Sequence, residues 1–328
     1  LTAKDAVFLS PHKFVGGPGT PGVLAVRRGL LGNRVPVVPG GGTVDYVGPE
    51  GQLYADQPDH REEGGTPAII ESIRAGLVFQ LKQAVGTEVI RAQDESFLRR
   101  ALQAWGREPS IEILGDLDAE RLPIVSFRVR APGGGYLHHN YVVAVLNDLF
   151  GIQARGGCSC AAPYGHRLLG IDPEQSRDLG VVAGRGQLGI KPGWVRVSFG
   201  YHISEQTFGF LLDAVALAAR EGWRLMPDYG FDPGSGLWRH RMAAAEPPVR
   251  LRQVGYDLDG AIRYPTPPGQ APESDLEQYL IEARDILAGR SAAPAAPAPG
   301  QVSPEFDRLR WFDLPTGCLA PATHDPAA

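Results

Sequence analysis

The stretch "VFLSPHKFVGGPGTPGVLAVRR" (Val7 to Arg28) sets one lysine, Lys13, between an apolar run and a loop dense in glycine and proline. Val7 to Leu9 reads as a short strand and Gly22 to Val26 as a second one. Between them, Gly16, Gly17, Pro18, Gly19, Pro21 and Gly22 let the backbone turn with positive φ or approach another group closely. Ser10 and His12 supply the polar side chains next to the lysine. A lysine at a strand end beside such a loop reads as placed for a purpose. A solvated surface lysine in an ordinary turn is the alternative these residues leave open.

The chain has 328 residues, 43% hydrophobic and 21% charged, which suits a soluble globular protein of about two domains. A net charge of -5 gives no electrostatic footprint for nucleic acid or an anionic membrane. No apolar run approaches the roughly 20 residues that span a bilayer. No basic segment leads into an apolar one at the start, so a signal peptide is not expected. Three cysteines make no disulfide framework, and a cytoplasmic location is the expectation. The chain opens at Leu1 rather than methionine, which reads as a fragment with an upstream part missing.

Outward from Lys13, "VVPGGGTVDYVGPEGQLY" (Val37 to Tyr54) is a glycine-rich loop. A helix follows, with Thr66 as N-cap, Pro67 in its first position, and Ile70, Ile73, Leu77 and Leu81 as one apolar stripe. A second helix is expected from Asp94 to Trp105. From Ser110 onward the pattern mixes strands and helices. "PIVSFRVR" alternates Ile124, Ser126 and Arg128 against Val125, Phe127 and Val129. "NYVVAVLNDLFG" reads as a helix stopped by Gly151, "WVRVSFG" as a strand, and Ser204 to Gly222 as a capped helix. The expected division is therefore residues 1–94, a compact α+β domain over 95–225, and an extension over 226–328. In the extension, "VRLRQVGYD" and "AIRYP" can pair as a hairpin, and "SDLEQYLIEARDILAGR" is an amphipathic helix. The Pro/Ala-rich stretch 291–300 reads as a linker, and Leu309, Trp311 and Phe312 as a strap onto the body.

Several groups could carry chemistry. A lysine amine that is desolvated or near other cations forms imines, as with pyridoxal phosphate, and a glycine loop with Ser10 and His12 suits a phosphate. In "QARGGCSCAAPYGH", Cys158 and Cys160 sit among glycines and alanines, as a nucleophilic thiol on a loop would, with Arg155 near to favour thiolate. A zinc site of Cys158, Cys160 and His166 is the alternative, although C-x-C without a second pair is a weak signal. Arg196 lies on a strand whose Val195 and Val197 face the other way. Such an arginine either pairs with a carboxylate of the protein or awaits one on a ligand. "EEGGTP" offers backbone N–H groups at a helix start, an anion site or merely a capped helix.

In this order, the pieces resemble the class V aminotransferase-like pyridoxal phosphate enzymes, in particular the cysteine desulfurase and selenocysteine lyase branch. The resemblance covers about residues 1 to 222. It implies an α/β, type I pyridoxal-phosphate transferase fold, represented by the C-terminal part of the large domain, a small α+β domain and a C-terminal extension. "SPHKFVGGPGTPG" is similar to the family's Ser-x-His-Lys block, which implies Lys13 as the Schiff-base lysine with Ser10 and His12 near the cofactor phosphate. "EEGGTP" resembles the segment that reaches the partner subunit's phosphate, implying Gly65, Thr66 and a homodimer with shared sites. "RGGCSC" matches Arg-x-Gly-x-x-Cys and puts Cys160 at the sulfur-accepting position. "VRVSFG" implies Arg196 as holder of the substrate carboxylate, with Arg155 beside it. The expected activity is conversion of L-cysteine to L-alanine with a persulfide on Cys160, passed to a sulfur-acceptor protein. Alternatives are an aminotransferase, lyase or epimerase acting on another amino acid, or a truncated non-catalytic dimerising or binding relative. The sequence departs from the family pattern in four respects. It holds no counterpart of the family's ring-stacking histidine, pyridine-nitrogen aspartate and first phosphate loop, so a chain starting at Leu1 is expected to bind cofactor poorly. It has a long stretch between Cys160 and Arg196, expected to reshape or cover the site. It also has a second cysteine in the loop and an added C-terminal segment.

Overall fold

The computed structural model describes residues 4–157, 162–242, 249–265, 269, 271–291 and 302–315. The chain divides into two compact units, 1–91 and 92–328.

In the first unit, β1 (Ala6–Leu9) and β2 (Val23–Val26) form an antiparallel hairpin with Leu9 opposite Val23. A second hairpin joins β3 (Val44–Gly48) to β4 (Gly51–Tyr54). Two helices follow, α1 (Pro58–Glu62) and α2 (Ile69–Val85). Buried Arg61 of α1 ties the loops together, donating to the carbonyls of Leu31, Ala55 and Asp56 at 2.9–3.0 Å. The α2 helix starts later than the sequence suggests. Its N-cap is Ala68, and Thr66 makes no cap bond. Pro67 disfavours helical backbone at the residue before it, so Thr66 stays outside. The apolar stripe Ile70, Ile73, Leu77 and Leu81 is exposed, and Ala75 and Val78 are the buried residues of this helix.

The second unit begins within α3 (Thr87–Trp105) and continues with β5 (Ile111–Ile113), β6 (Ile124–Val129), α4 (His139–Phe150) and β7 (Arg155–Gly157). Next come α5 (Ala162–Leu169), α6 (Pro173–Gly184), β8 (Trp194–Ser198) and α7 (Glu205–Glu221). The four strands form one antiparallel sheet in the order β5-β6-β8-β7. The period-two pattern decides its faces: Val125, Phe127, Val129, Val195 and Val197 are buried, while Ser126, Arg128 and Arg196 are only partly covered. The buried face packs on Trp105 of α3, whose ring lies 5.4 Å from that of Phe127, and on α4, which in turn packs on α7. Gly151 closes α4 in the left-handed conformation (φ 68°), and the Ser204 hydroxyl accepts from the Thr207 N–H to cap α7, both as expected. The helix also ends as expected, with Gly222 as its C-cap, and the chain runs on from there as a 3₁₀ segment through Asp228.

The remainder of this unit comprises β9 (Tyr229–Asp232) with β10 (Leu237–His240), the short hairpin β11 (Gly255–Tyr256) with β12 (Ile262–Arg263), α8 (Leu276–Ala288) and α9 (Pro304–Leu309). Phe306, Phe312 and Leu314 are buried in the same core as Phe127 and Val195, so the final segment straps onto this unit as its aromatic residues suggest. Most of the Pro/Ala stretch lies outside the described residues.

Candidate active site

The residues singled out from the sequence fall on both units, and each group is built where it lies. In the first unit, Lys13 ends a 3₁₀ turn, Pro11–Lys13, that follows β1 directly. Its N–H donates to the Ser10 carbonyl at 3.0 Å, and the chain continues in further turns from Phe14 to Pro11 and from Gly17 to Phe14. Gly17 is required here, because a Cβ would lie 1.9 Å from the Pro11 carbonyl oxygen. The turn is seated on α2. The Phe14 ring meets Phe79 edge-on at 5.5 Å, Lys82 Nζ stands 5.0 Å from the Phe14 centroid, and Arg74 donates to the Pro18 carbonyl. This scaffold fixes the backbone of Lys13 and leaves its side chain exposed, together with that of His12, while Ser10 is half-buried. None of the three side chains has a hydrogen-bond or ion-pair partner among the described residues.

Gly65 and Thr66 lie on the same unit. The Gly65 N–H is spent on the Gly41 carbonyl at 2.8 Å, which laces this segment to the glycine-rich loop around buried Thr43. Gly65 has φ +88°, and the Thr66 side chain is exposed.

In the second unit the strand register brings two arginines together. Arg155 on β7 stands directly opposite Arg196 on β8, and Ser126 on β6 faces Arg196 from the other side. Directly opposed residues share a face of the sheet. Neither guanidinium has a hydrogen bond or ion pair with any described residue. Arg128 on the same face differs: it bonds to Glu112, which also takes Arg130 at 2.7 Å and the Tyr136 hydroxyl at 2.6 Å. Burial alone would raise the Glu112 carboxyl, but hydrogen bonds from Tyr136 and Arg128 outweigh it and hold the group below its ordinary value. Arg128 and Arg130 are thus structural, and Arg155 and Arg196 are the unspent cations of this sheet.

Cys158 and Cys160 lie outside the described residues, which end at Gly157 and resume at Ala162. Two of the three ligands of the alternative zinc site fall there too, and His166 is half-buried on α5. The long stretch before Arg196 folds as α6, capped by Asp172, and a 3₁₀ turn with Gly189 and Ile190 buried. Sequence reasoning passed over His138 and His139, the buried pair at the start of α4. Burial pushes His139 down to about 4, and burial together with its neighbour holds His138 well below the ordinary histidine value. Their signal was a double histidine at a helix N-terminus, where His138 serves as N-cap.

No described helix is long and apolar enough to cross a membrane. The chain is similar to a probable cysteine desulfurase of Halobacterium salinarum, 29% identical over 167 residues, covering 51% of this chain and 38% of the relative. It is 31% identical to a cysteine desulfurase of Serratia proteamaculans over 160 residues, covering 48% of this chain and 37% of that protein. Among solved structures, the apo cysteine desulfurase of Thermococcus onnurineus NA1 superposes with a TM-score of 0.51 at 26% identity, covering 66% of this chain and 47% of that one. The chain thus spans less than half the length of the relatives it matches. The sequence model of the class-V aminotransferases matches residues 2–207. With that match, the superposition on the archaeal desulfurase and its own mixed α/β architecture, the chain belongs to the class-V aminotransferase family and has the type I pyridoxal-phosphate transferase class of fold.

Proposed function

We propose that this chain carries the lysine, cysteine and carboxylate-binding residues of a cysteine desulfurase-like enzyme that converts L-cysteine to L-alanine and leaves a persulfide on Cys160. One observation carries the reading most directly: Arg155 and Arg196 oppose each other without a carboxylate among the described residues, while Arg128 on the same face has its own in Glu112. A cation pair of this kind, with Arg155 exposed and Arg196 half-buried, suits the carboxylate of a small amino acid, gripped bidentately by Arg196.

The donor set around Lys13 fits pyridoxal 5'-phosphate. It offers a primary amine, a hydroxyl at Ser10 and an imidazole at His12, none of them engaged by a described residue. The cofactor, when bound, supplies an electron sink for the substrate's α-carbon. Lys13 would hold it, and its amine, once free, would take the α-proton. Arg196 would orient the substrate by its carboxylate, and Arg155 would favour the thiolate form of a cysteine nearby. Cys160 would attack the substrate sulfur. An S–S bond forms as the C–S bond breaks, and the electron pair left on carbon is taken up by a proton to give alanine. Gly65 and Thr66 would serve the site of a partner subunit in a cytoplasmic homodimer, and an acceptor protein would remove the sulfur. The resemblance of the "EEGGTP" and "RGGCSC" segments to the family supports both assignments.

The test is sulfide and alanine release from L-cysteine, with added pyridoxal phosphate and reductant. Equal amounts of the two, lost in Cys160→Ala and in Lys13→Ala, are expected. Lys13-dependent cofactor absorbance without sulfide would replace the desulfurase with an aminotransferase, lyase or epimerase. Absence of that absorbance would leave a binding relative.

A further inference from the structure

His139 occupies a slot that only glycines permit. A Cβ on Gly156 would lie 3.1 Å from His139 Cδ2 and 2.6 Å from Asn140 Oδ1, and one on Gly193 would lie 2.8 Å from His139 Cε1. A Cβ on Gly157 would lie 3.9 Å from its Nε2, in ordinary contact. The imidazole is therefore wedged against β7 and the segment leading into β8, on the face opposite Arg155 and Arg196. His139 is 6% exposed, yet its Nδ1 is buried without a hydrogen-bond partner among the described residues. A buried donor or acceptor left unpaired costs about 1–3 kcal/mol, so packing alone would be better served by a phenyl or isobutyl group.

The other wall of the slot comes from far along the chain. Trp311 stacks on His139 with centroids 5.6 Å apart and planes within 9°, and its indole N–H donates to the Ile190 carbonyl at 3.2 Å. Phe312 meets His138 at 4.4 Å and bridges to Tyr136, whose carbonyl accepts from the Asp313 N–H. His138 is itself fixed in one tautomer. Its Nδ1 accepts from the Asn140 N–H, so its Nε2–H donates to the Gly189 carbonyl. Residues 302–315 lie beyond the family match, which ends at 207.

We propose that His139 is a positioning residue for β7, the strand that carries Arg155 and leads in sequence into Cys158 and Cys160, and that Trp311 clamps its ring in that role. The added C-terminal segment is then a structural part of the site and not an independent appendage. The consequence for catalysis rests on the desulfurase-like reading, but the positioning itself does not.

Amide hydrogen exchange on the full chain tests this without cofactor or substrate. Trp311→Ala and His139→Ala should speed exchange of Arg155–Gly157 by about tenfold or more, and Trp311→Phe should restore it to within about twofold of the parent. Leu287→Ala, a buried truncation on α8, is the control for general loosening of the unit. Unchanged exchange of Arg155–Gly157 in Trp311→Ala would overturn the proposal. Equal acceleration by Leu287→Ala would overturn it as well. Should Trp311→Ala fail to fold, Trp311→Leu, which keeps apolar bulk without the stacked plane, takes its place with the same expected result. Absence of sulfide from the unsubstituted protein would sink the desulfurase reading and leave the exchange result standing by itself.

Discussion

Arg155 and Arg196 are direct cross-strand neighbours on β7 and β8, with no carboxylate paired to either among the described residues. Like charges directly opposite destabilise an antiparallel pair by roughly 0.2–1 kcal/mol, so this arrangement opposes folding until an anion arrives. Arg155→Ser should therefore raise the stability of the second unit by up to about 1 kcal/mol at low salt, with the gain shrinking as salt screens the pair. Acetate at matched ionic strength should stabilise the parent protein against urea more than Arg196→Gln. A parent no more sensitive to acetate than the variant would mean that the pair holds no anion.

Glu112 keeps Arg128 and Arg130 from joining that pair. Its pKa is held below the ordinary carboxylate value, so its contribution is present above that value and lost as pH falls through the lowered one. Glu112→Gln should cost about 1–2 kcal/mol at neutral pH, since charge-assisted bonds weaken while the side chain stays partly solvated. It should also release Arg128, making the sheet bind acetate more strongly. Urea titrations with and without acetate read both effects, and a variant with parental acetate response contradicts the division of roles among these arginines.

The Lys13 turn depends on Gly17, whose added methyl would meet a backbone oxygen that no side-chain rotation can relieve. Gly17→Ala should destabilise the turn by about 3 kcal/mol or more, at the upper end of overpacking costs. Gly41→Ala is the matched control, because nothing lies within 4 Å of its Cβ position. Hydrogen exchange over Phe8–Thr20 should rise sharply in the first variant and stay near parental in the second. Similar behaviour of the two would show that the turn adapts.

Much of this arrangement was legible in the sequence where a local rule decides the outcome. The alternation over Ile124–Val129 gave the faces of β6, and Gly151 and Ser204 marked helix ends through their own backbone and side-chain chemistry. Where a longer-range effect decides, the sequence was silent or misleading. Thr66 resembles an N-cap, yet α2 begins after Pro67, and α3 starts at Thr87, well before Asp94. The opposition of Arg155 and Arg196 follows from the register between β7 and β8, which the period-two pattern of neither strand specifies. His139 was missed because its burial depends on glycines at 156 and 193 and on a tryptophan at 311, none adjacent to it in sequence.

That buried pair also makes the second unit sensitive to acid. Burial holds His139 at about 4 in the folded chain, against about 6.5 unfolded, and burial together with its neighbour holds His138 well below the ordinary histidine value. Between these values the unfolded chain binds more protons than the folded one, so acid favours unfolding. The stabilisation from neutral His139 is complete above about pH 6.5, declines as pH falls, and is gone by about pH 4. A shift of this size corresponds to roughly 3 kcal/mol over that window. Protonation of His138 would in addition remove the acceptor at Nδ1 that caps α4, since both ring nitrogens become donors. Urea midpoints measured from pH 8 to pH 4 should fall more steeply for the parent than for His139→Phe, which keeps the ring in the slot and cannot take a proton. Taking the difference between the two proteins cancels the carboxylates that titrate over the same range. Parallel curves would mean that His139 is solvated and protonated in the folded chain, and that the slot beneath Trp311 is open to water.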